Sequence, residues 1–367
     1  MGWLRVYLAL CVVAGHSSRF LPWVTHDGRQ AVQVFYIISG FYMALILSGP
    51  QYRSVKKFYV SRWLRIFPSY YLVLFLTLGI CCATGVSTGD WLLLNAFWSR
   101  TPETNGQEGF VLAALTNFTQ FGQDWVLFLS QSGDRPLHFT ANFLLDPAPL
   151  YLFLLVPQMW SVGLEEVFYV IAPVLNRLTT PWIVAVIALS TVGRVYAYRW
   201  LGLQHDPFTY RFFPFEISLF LLGVVAFRMC QKFDVQGRLP NCSGWRPYLA
   251  ILLLLTAGCG LHAGMVSSAG DYYECAVLLS YPVWAIVVVI LFSLCGHNQF
   301  DRAIGEFSFP IYLCHFVLVQ LLLLMGVQPA SLGVASVGSS LLVAAVLYLF
   351  WIKPVEKWRH KFVSRLS

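Results

Sequence analysis

"IFPSYYLVLFLTLGICCA", residues 66–83, runs for eighteen residues without an acidic or basic side chain. As a helix it would be about 27 Å long, close to the thickness of a bilayer's hydrocarbon core. The stretch that leads into it, "KFYVSRWLR" at 57–65, is basic. An apolar run of spanning length with positive charge on one flank reads as a transmembrane helix whose charged end stays in the cytoplasm.

The same reading extends along the chain. Apolar runs near spanning length lie at 4–22, 31–48, 66–83, 161–176, 181–198, 212–229, 247–264, 275–295, 305–325 and 333–352. They predict an all-α, polytopic integral membrane protein of about ten transmembrane helices in one bundle, a single membrane domain over 1–367. Composition agrees: 58% of the residues are hydrophobic and 11% charged, against about 25% charged in soluble proteins. The net charge of +7 is spread between the apolar runs rather than gathered in a patch. It therefore reads as a topology signal and not as a nucleic-acid surface. Nine cysteines, mostly inside apolar runs, show no disulfide or metal spacing, so no metal site is expected. No cleavable signal peptide is expected either.

The loops orient the bundle. Arg53, Lys56, Lys57, Arg62 and Arg65 fall between spans two and three, Arg228 to Arg246 between six and seven, and Lys353 to Arg365 after the last. With ten spans these share one side, while Asp90, Glu103, Glu108, Asp124, Asp134, Asp146, Asp271 and Glu274 share the other. Both termini are then cytoplasmic. The stretch 84–160 is broken by Gly, Asp and Pro and reads as an outer-side loop with interfacial or re-entrant helices. Its Trp91, Trp98, Trp125 and Tyr151 suit sugar stacking and interfacial anchoring equally.

Ionisable residues inside spans are costly and point to function. Arg5 and His16, eleven residues apart, return to within about 20° of one helix face and lie about 16 Å apart along the axis. One face thus carries a cation at its mouth and a titratable base deeper in. Glu165 and Glu166 enter the fourth span together, and adjacent positions diverge by about 100°. One carboxylate can face inward, where it needs a partner, a histidine being the natural one. The other, Glu166, suits an interfacial place near the helix N-terminus. Arg62 and Arg65, at i and i+3, offer paired guanidinium forks suited to phosphate. His315 in the ninth span reads equally as a satisfied core histidine, and Glu356 as the ion-pair partner of an arginine. Together these residues describe a path from a phosphate-rich cytoplasmic molecule to a base on the outer side.

Six segments, in order, resemble the membrane acyltransferase-3 family of bacterial glycan O-acyltransferases. They are Arg5 with His16, "VFYIISGFYM" (34–43, containing Ser39), "RWLRIFPSYY" (62–71), "WSVGLEEVFY" (160–169, opening with Trp160 and Ser161), "FSFPIYLCH" (307–315) and "PVEKW" (354–358). Departures are small: Ala31 stands where the second motif often opens with glycine, Tyr36 replaces its second Phe, Val162 a Leu and Phe309 a Tyr. The resemblance implies transfer of an acetyl or similar acyl group from cytoplasmic acyl-CoA to a hydroxyl of an extracytoplasmic glycan, such as a cell-surface polysaccharide. It implies His16 as general base, Glu165 as an essential acid, and Arg62 and Arg65, with Arg5 at the mouth, on the donor acetyl-CoA. It further implies a bacterial inner-membrane location. Some relatives carry an appended hydrolase-like domain, which is not expected here. The alternative from another class is a proton-coupled transporter using His16 and Glu165 as a relay; it leaves the arginine pair unexplained and lacks the repeat symmetry usual in transporters.

Overall fold

A computed structural model describes residues 1–18, 27–49, 54–99, 108–132, 135–232, 253, 273–296 and 298–366. Among these residues the architecture is a helical bundle. Its first three helices are α1 (Gly2–His16), α2 (Gly28–Ser48) and α3 (Val55–Thr88). Short elements follow: α4 (Asn95–Ser99), α5 (Glu108–Thr119), α6 (Gln123–Val126) and the hairpin β1 (Leu129–Ser132) with β2 (Arg135–Phe139). The bundle resumes with α7 (Trp160–Leu175), α8 (Thr180–Trp200), α9 (Phe213–Lys232), α10 (Tyr273–Cys295), α11 (Gln299–Gly305), α12 (Ser308–Leu324), α13 (Pro329–Leu347) and α14 (Lys353–Ser364).

Seven helical segments among the described residues are long and apolar enough to cross a membrane. Two expected spans are shorter than a full crossing: α1 has 15 residues and α7 has 16. The expected span 247–264 lies outside the described residues apart from Leu253. The third span begins well before residue 66. Helix α3 is continuous for 34 residues, about 51 Å, and takes in the basic segment expected as a loop. Arg62 and Arg65 are therefore helical residues two to three turns inside α3. The sequence there contains no breaker until Pro68, which the helix absorbs; Trp351 Nε1 donates to the Pro68 carbonyl at 3.2 Å. Gly89, in the left-handed region at φ +81°, ends the helix and returns its N–H to the Gly85 carbonyl.

The broken stretch 84–160 folds over the C-terminal end of α3. It holds the one strand pair among the described residues, antiparallel with Leu129 opposite Phe139 and Ser130 opposite His138. The all-helical expectation missed this hairpin because its strands are only four and five residues long. Asn117 ties the segment together, donating to the Phe153 carbonyl at 2.8 Å and accepting from the Leu155 N–H at 2.8 Å. The Tyr70 hydroxyl donates to the Asn117 carbonyl and accepts from Gln123 at 2.8 Å, which docks the segment on α3.

Helices α2 and α9 pack backbone to backbone. A Cβ on Gly40 would stand 1.8 Å from the Phe220 carbonyl oxygen, and one on Gly223 would stand 2.0 Å from that of Ile37. Two facing glycines permit this approach, the usual device where apolar lipid leaves van der Waals packing to hold helices together. The glycine of the Ser-Gly-Phe segment is thus a packing residue that fixes the rotation of α2. At the opposite end of α1, the Asp301 carboxylate accepts from the Gly2 and Trp3 amides at 2.8 and 3.2 Å, satisfying donors that a helix N-terminus leaves open.

Candidate active site

A cavity of about 490 Å³ lies among α1, α2, α3, α7, α10, α11 and α12. Arg5, Arg62 and Arg65 all line it, as do Ser39, Ser161 and Glu165. Its lining on α2 extends from Val32 to Ile46, a rise of about 21 Å. The cavity is therefore a tunnel along the bundle rather than a surface dimple. Arg62 is buried, with its guanidinium 6.0 Å from the centre of the Tyr169 ring, whereas Arg65 is exposed. The i, i+3 spacing on α3 is what brings both to one wall.

Glu165 is the inward carboxylate of its pair. It accepts hydrogen bonds from the Ser39 and Tyr169 hydroxyls. The expected carboxylate–histidine pairing is not made; in its place two hydroxyls, one from α2 and one from a turn further along α7, hold the acid. Glu166 corrects a second expectation. It is buried rather than interfacial, and neither carboxylate oxygen has a hydrogen-bond partner among the described residues. It borders a separate, apolar recess of about 590 Å³ with Trp63, Phe67 and Phe121.

His16 is the last residue of α1 and is exposed. Its partner is His315, fully buried on α12, with Nε2 of His315 3.2 Å from Nδ1 of His16. The carbonyls around the pair fix the tautomers. His315 Nδ1 lies 2.7 Å from the Tyr312 carbonyl oxygen, which can only accept, so this nitrogen carries the proton. His315 Nε2 then presents a lone pair to His16. His16 Nδ1 faces that lone pair and the Val12 carbonyl oxygen at 3.0 Å, so it too carries its proton. The basic nitrogen of His16 is consequently Nε2, turned away from both partners.

Neither histidine lines the cavity. Tyr312, whose carbonyl holds His315, does so, and its hydroxyl sits 2.6 Å from that of Ser161 and donates to the Gln158 carbonyl at 2.7 Å. The motif around Trp160 and the motif around His315 are joined through this contact. Trp160 itself is buried, and the Arg211 guanidinium lies 4.1 Å from its ring centre. Arg211 also pairs with Asp206 at 2.6 Å, and the neighbouring Tyr210 and Asp206 hold its pKa above the ordinary value against the effect of burial. Glu356 does not itself line the cavity. It pairs with Arg359 at 2.5 Å, and Arg359 donates in turn to the Ser61 hydroxyl, so this motif clamps α14 to α3.

The sequence reading missed a second buried polar cluster. Arg194 on α8 and Glu216 on α9 form an ion pair at 2.9 Å with side chains 2% and 0% exposed, and Gln33 donates to the same carboxylate at 3.1 and 3.0 Å. Arg194 is the one charge in its expected span, and Glu216 lies deep in span 212–229, whose other charge, Arg228, is at its end; that was the signal available.

The fold and cavity define a polytopic helical membrane protein with a cation-lined internal tunnel. Comparison with known families gives the chemistry: an acyltransferase domain model matches residues 1–351. The chain belongs to the acyltransferase-3 family and is a membrane acyltransferase. No curated protein and no solved structure matches it.

Proposed function

We propose that the protein is an O-acyltransferase that takes an acyl group, acetyl by preference, from acyl-CoA and delivers it to a hydroxyl of an extracytoplasmic glycan such as a cell-surface polysaccharide. The observation that carries this reading is the convergence of Arg5, Arg62, Arg65 and Glu165 on one tunnel whose far wall, at Tyr312, backs onto the histidine pair. The arginines suit the phosphates of coenzyme A. In this reading their end of the bundle faces the cytoplasm of a bacterial inner membrane, as the positive-inside rule prefers.

The chemistry asked of the site is modest. The acceptor hydroxyl oxygen attacks the thioester carbonyl carbon while His16 Nε2 takes the hydroxyl proton. The tetrahedral species collapses, the C–S bond breaks, and the proton passes from the imidazolium to the departing thiolate. Glu165, held by Ser39 and Tyr169, supplies negative charge that balances the arginines around the tunnel.

The test uses membranes containing the protein and labelled acetyl-CoA, following label into glycan. Wild type transfers label. His16→Ala binds donor and transfers about 10²–10⁴-fold more slowly, whereas the Arg62→Ala/Arg65→Ala double variant loses donor binding. A wild-type protein that neither binds donor nor labels any glycan would overturn the reading.

A further inference from the structure

Behind one wall of the tunnel lies the apolar recess of about 590 Å³, and Arg62, Ile66 and Tyr169 line both spaces. On α3 the recess runs from Tyr59 to Phe67, and Val170 of α7 and Phe121 of the broken stretch complete its rim. The rim faces outward: Trp63, Val170 and Phe121 are each about half exposed. In a bilayer that rim meets hydrocarbon, and a concave apolar wall left unfilled forfeits its dispersion contacts. The recess suits an apolar occupant. The Tyr59 hydroxyl is engaged, donating to the Val170 carbonyl at 2.7 Å, and both Glu166 oxygens are buried.

Length and charge narrow the occupant. From Tyr59 to Phe67 the recess extends about 12 Å along α3, close to the ~15 Å of one leaflet, half of a bilayer's hydrocarbon core. Its far end meets the broken stretch: the Tyr71 hydroxyl, one turn beyond Phe67, donates to the Phe118 carbonyl at 2.8 Å and ties the segment carrying Phe121 to α3. Its near end is basic. Lys56 is exposed one turn before Tyr59, and Val60, Trp63 and Phe67 lie within about 40° of it around the helix. No acidic residue occurs anywhere in α3. We propose that a phospholipid of the leaflet on the arginine side seats one acyl tail in this recess and rests its phosphate on Lys56. Tyr59 and Trp63 then lie beside its upper tail, where aromatic rings gather near the membrane–water boundary. Arg62 and Tyr169 stand between the tail and the tunnel.

The test uses the protein purified in detergent from membranes. Native mass spectrometry reads the lipid it retains, and phosphatidylglycerol is then titrated onto delipidated protein. Wild type should keep one phospholipid through purification. Lys56→Gln should bind phosphatidylglycerol about fivefold more weakly, the contribution of one lysine beside an anionic lipid. Val170→Trp sets a bulky ring on the rim, leaves the backbone carbonyl that Tyr59 uses in place, and should retain no lipid. Both variants should melt with delipidated wild type, since both positions are on the surface. Wild type without a retained phospholipid overturns the inference, as does Val170→Trp binding it as wild type does or Lys56→Gln with unchanged affinity. A long-chain acyl thioester recovered in place of the phospholipid would give the recess to the donor and also overturn it, as would a second copy of the chain whose contact Val170→Trp breaks. Transfer of label is a separate readout: a protein that keeps its phospholipid but neither binds donor nor labels glycan overturns the acyl-transfer reading and leaves this site standing.

Discussion

His315 should control turnover through His16 without touching donor. Replacing it with leucine keeps the bulk of a fully buried side chain and removes the lone pair 3.2 Å from His16 Nδ1. The hydrogen bond alone is worth about 0.5–1.5 kcal/mol net, or about 2–12-fold in rate. His16 also ends its helix, so the Val12 carbonyl at 3.0 Å is then its remaining anchor. A base displaced by about 1 Å loses up to 10²-fold. The expected fall in kcat for His315→Leu is therefore about 10–100-fold. Donor KM stays within about twofold, because neither histidine lines the tunnel. Glutamine can present its carbonyl oxygen to the same N–H, so His315→Gln should recover turnover to within about threefold of wild type. In a His16→Ala background, which itself costs about 10²–10⁴-fold, His315→Leu should add nothing. The assay is single-turnover transfer of labelled acetyl-CoA with melting temperatures recorded for each variant. If His315→Leu turned over at the wild-type rate while His16→Ala was dead, the tautomer argument would be refuted.

Three further outcomes follow from packing and charge. Arg194→Met strands Glu216 in the bundle and should cost about 3–5 kcal/mol in reversible unfolding, whereas Arg194→Met/Glu216→Gln should recover most of it; a double variant as unstable as the sum of the singles would count against a paired charge. Gly40→Ala places a methyl 1.8 Å from a backbone oxygen and should lower the melting temperature sharply, while Gly79→Ala, where nothing lies within 4 Å, should be neutral. Burial pushes the Asp124 carboxyl up to about 7, so the folded state binds a proton that the unfolded chain releases above about pH 4. Stability should therefore decline between about pH 4 and pH 7 and level off above, and Asp124→Asn should flatten that part of the thermal-unfolding profile.

Much of the bundle was legible because spans are written in a coarse code of length and apolarity. What the code cannot give is where a helix begins. Arg62 and Arg65 look like loop residues by charge, yet no Gly or Pro interrupts 55–67 and α3 runs through them. Partner choice was also invisible. Periodicity places Arg5 and His16 on one face and Glu165 inward, but which helix comes to meet His16 depends on the bundle's order in space. His315 met it, and Glu165 found Ser39 and Tyr169. Glu166 was misplaced by the preference of carboxylates for helix N-termini, a small term against the packing of α7. Arg194 and Glu216 carried the same intramembrane signal as His16 and belong to a buried brace that does not line the tunnel.

Helix α3 links both ends of the molecule. From Arg65 to Thr88 it runs about 35 Å, with the arginines on one side of Pro68 and the docked segment around Asn117 on the other. A rod of that length is a lever: a tilt of about 5° at one end moves the other by about 3 Å, roughly the reach of one hydrogen bond. A displacement at the arginines would therefore shift the turn around Trp91, which packs on Gly85 near the far end of the same helix, without passing through the tunnel.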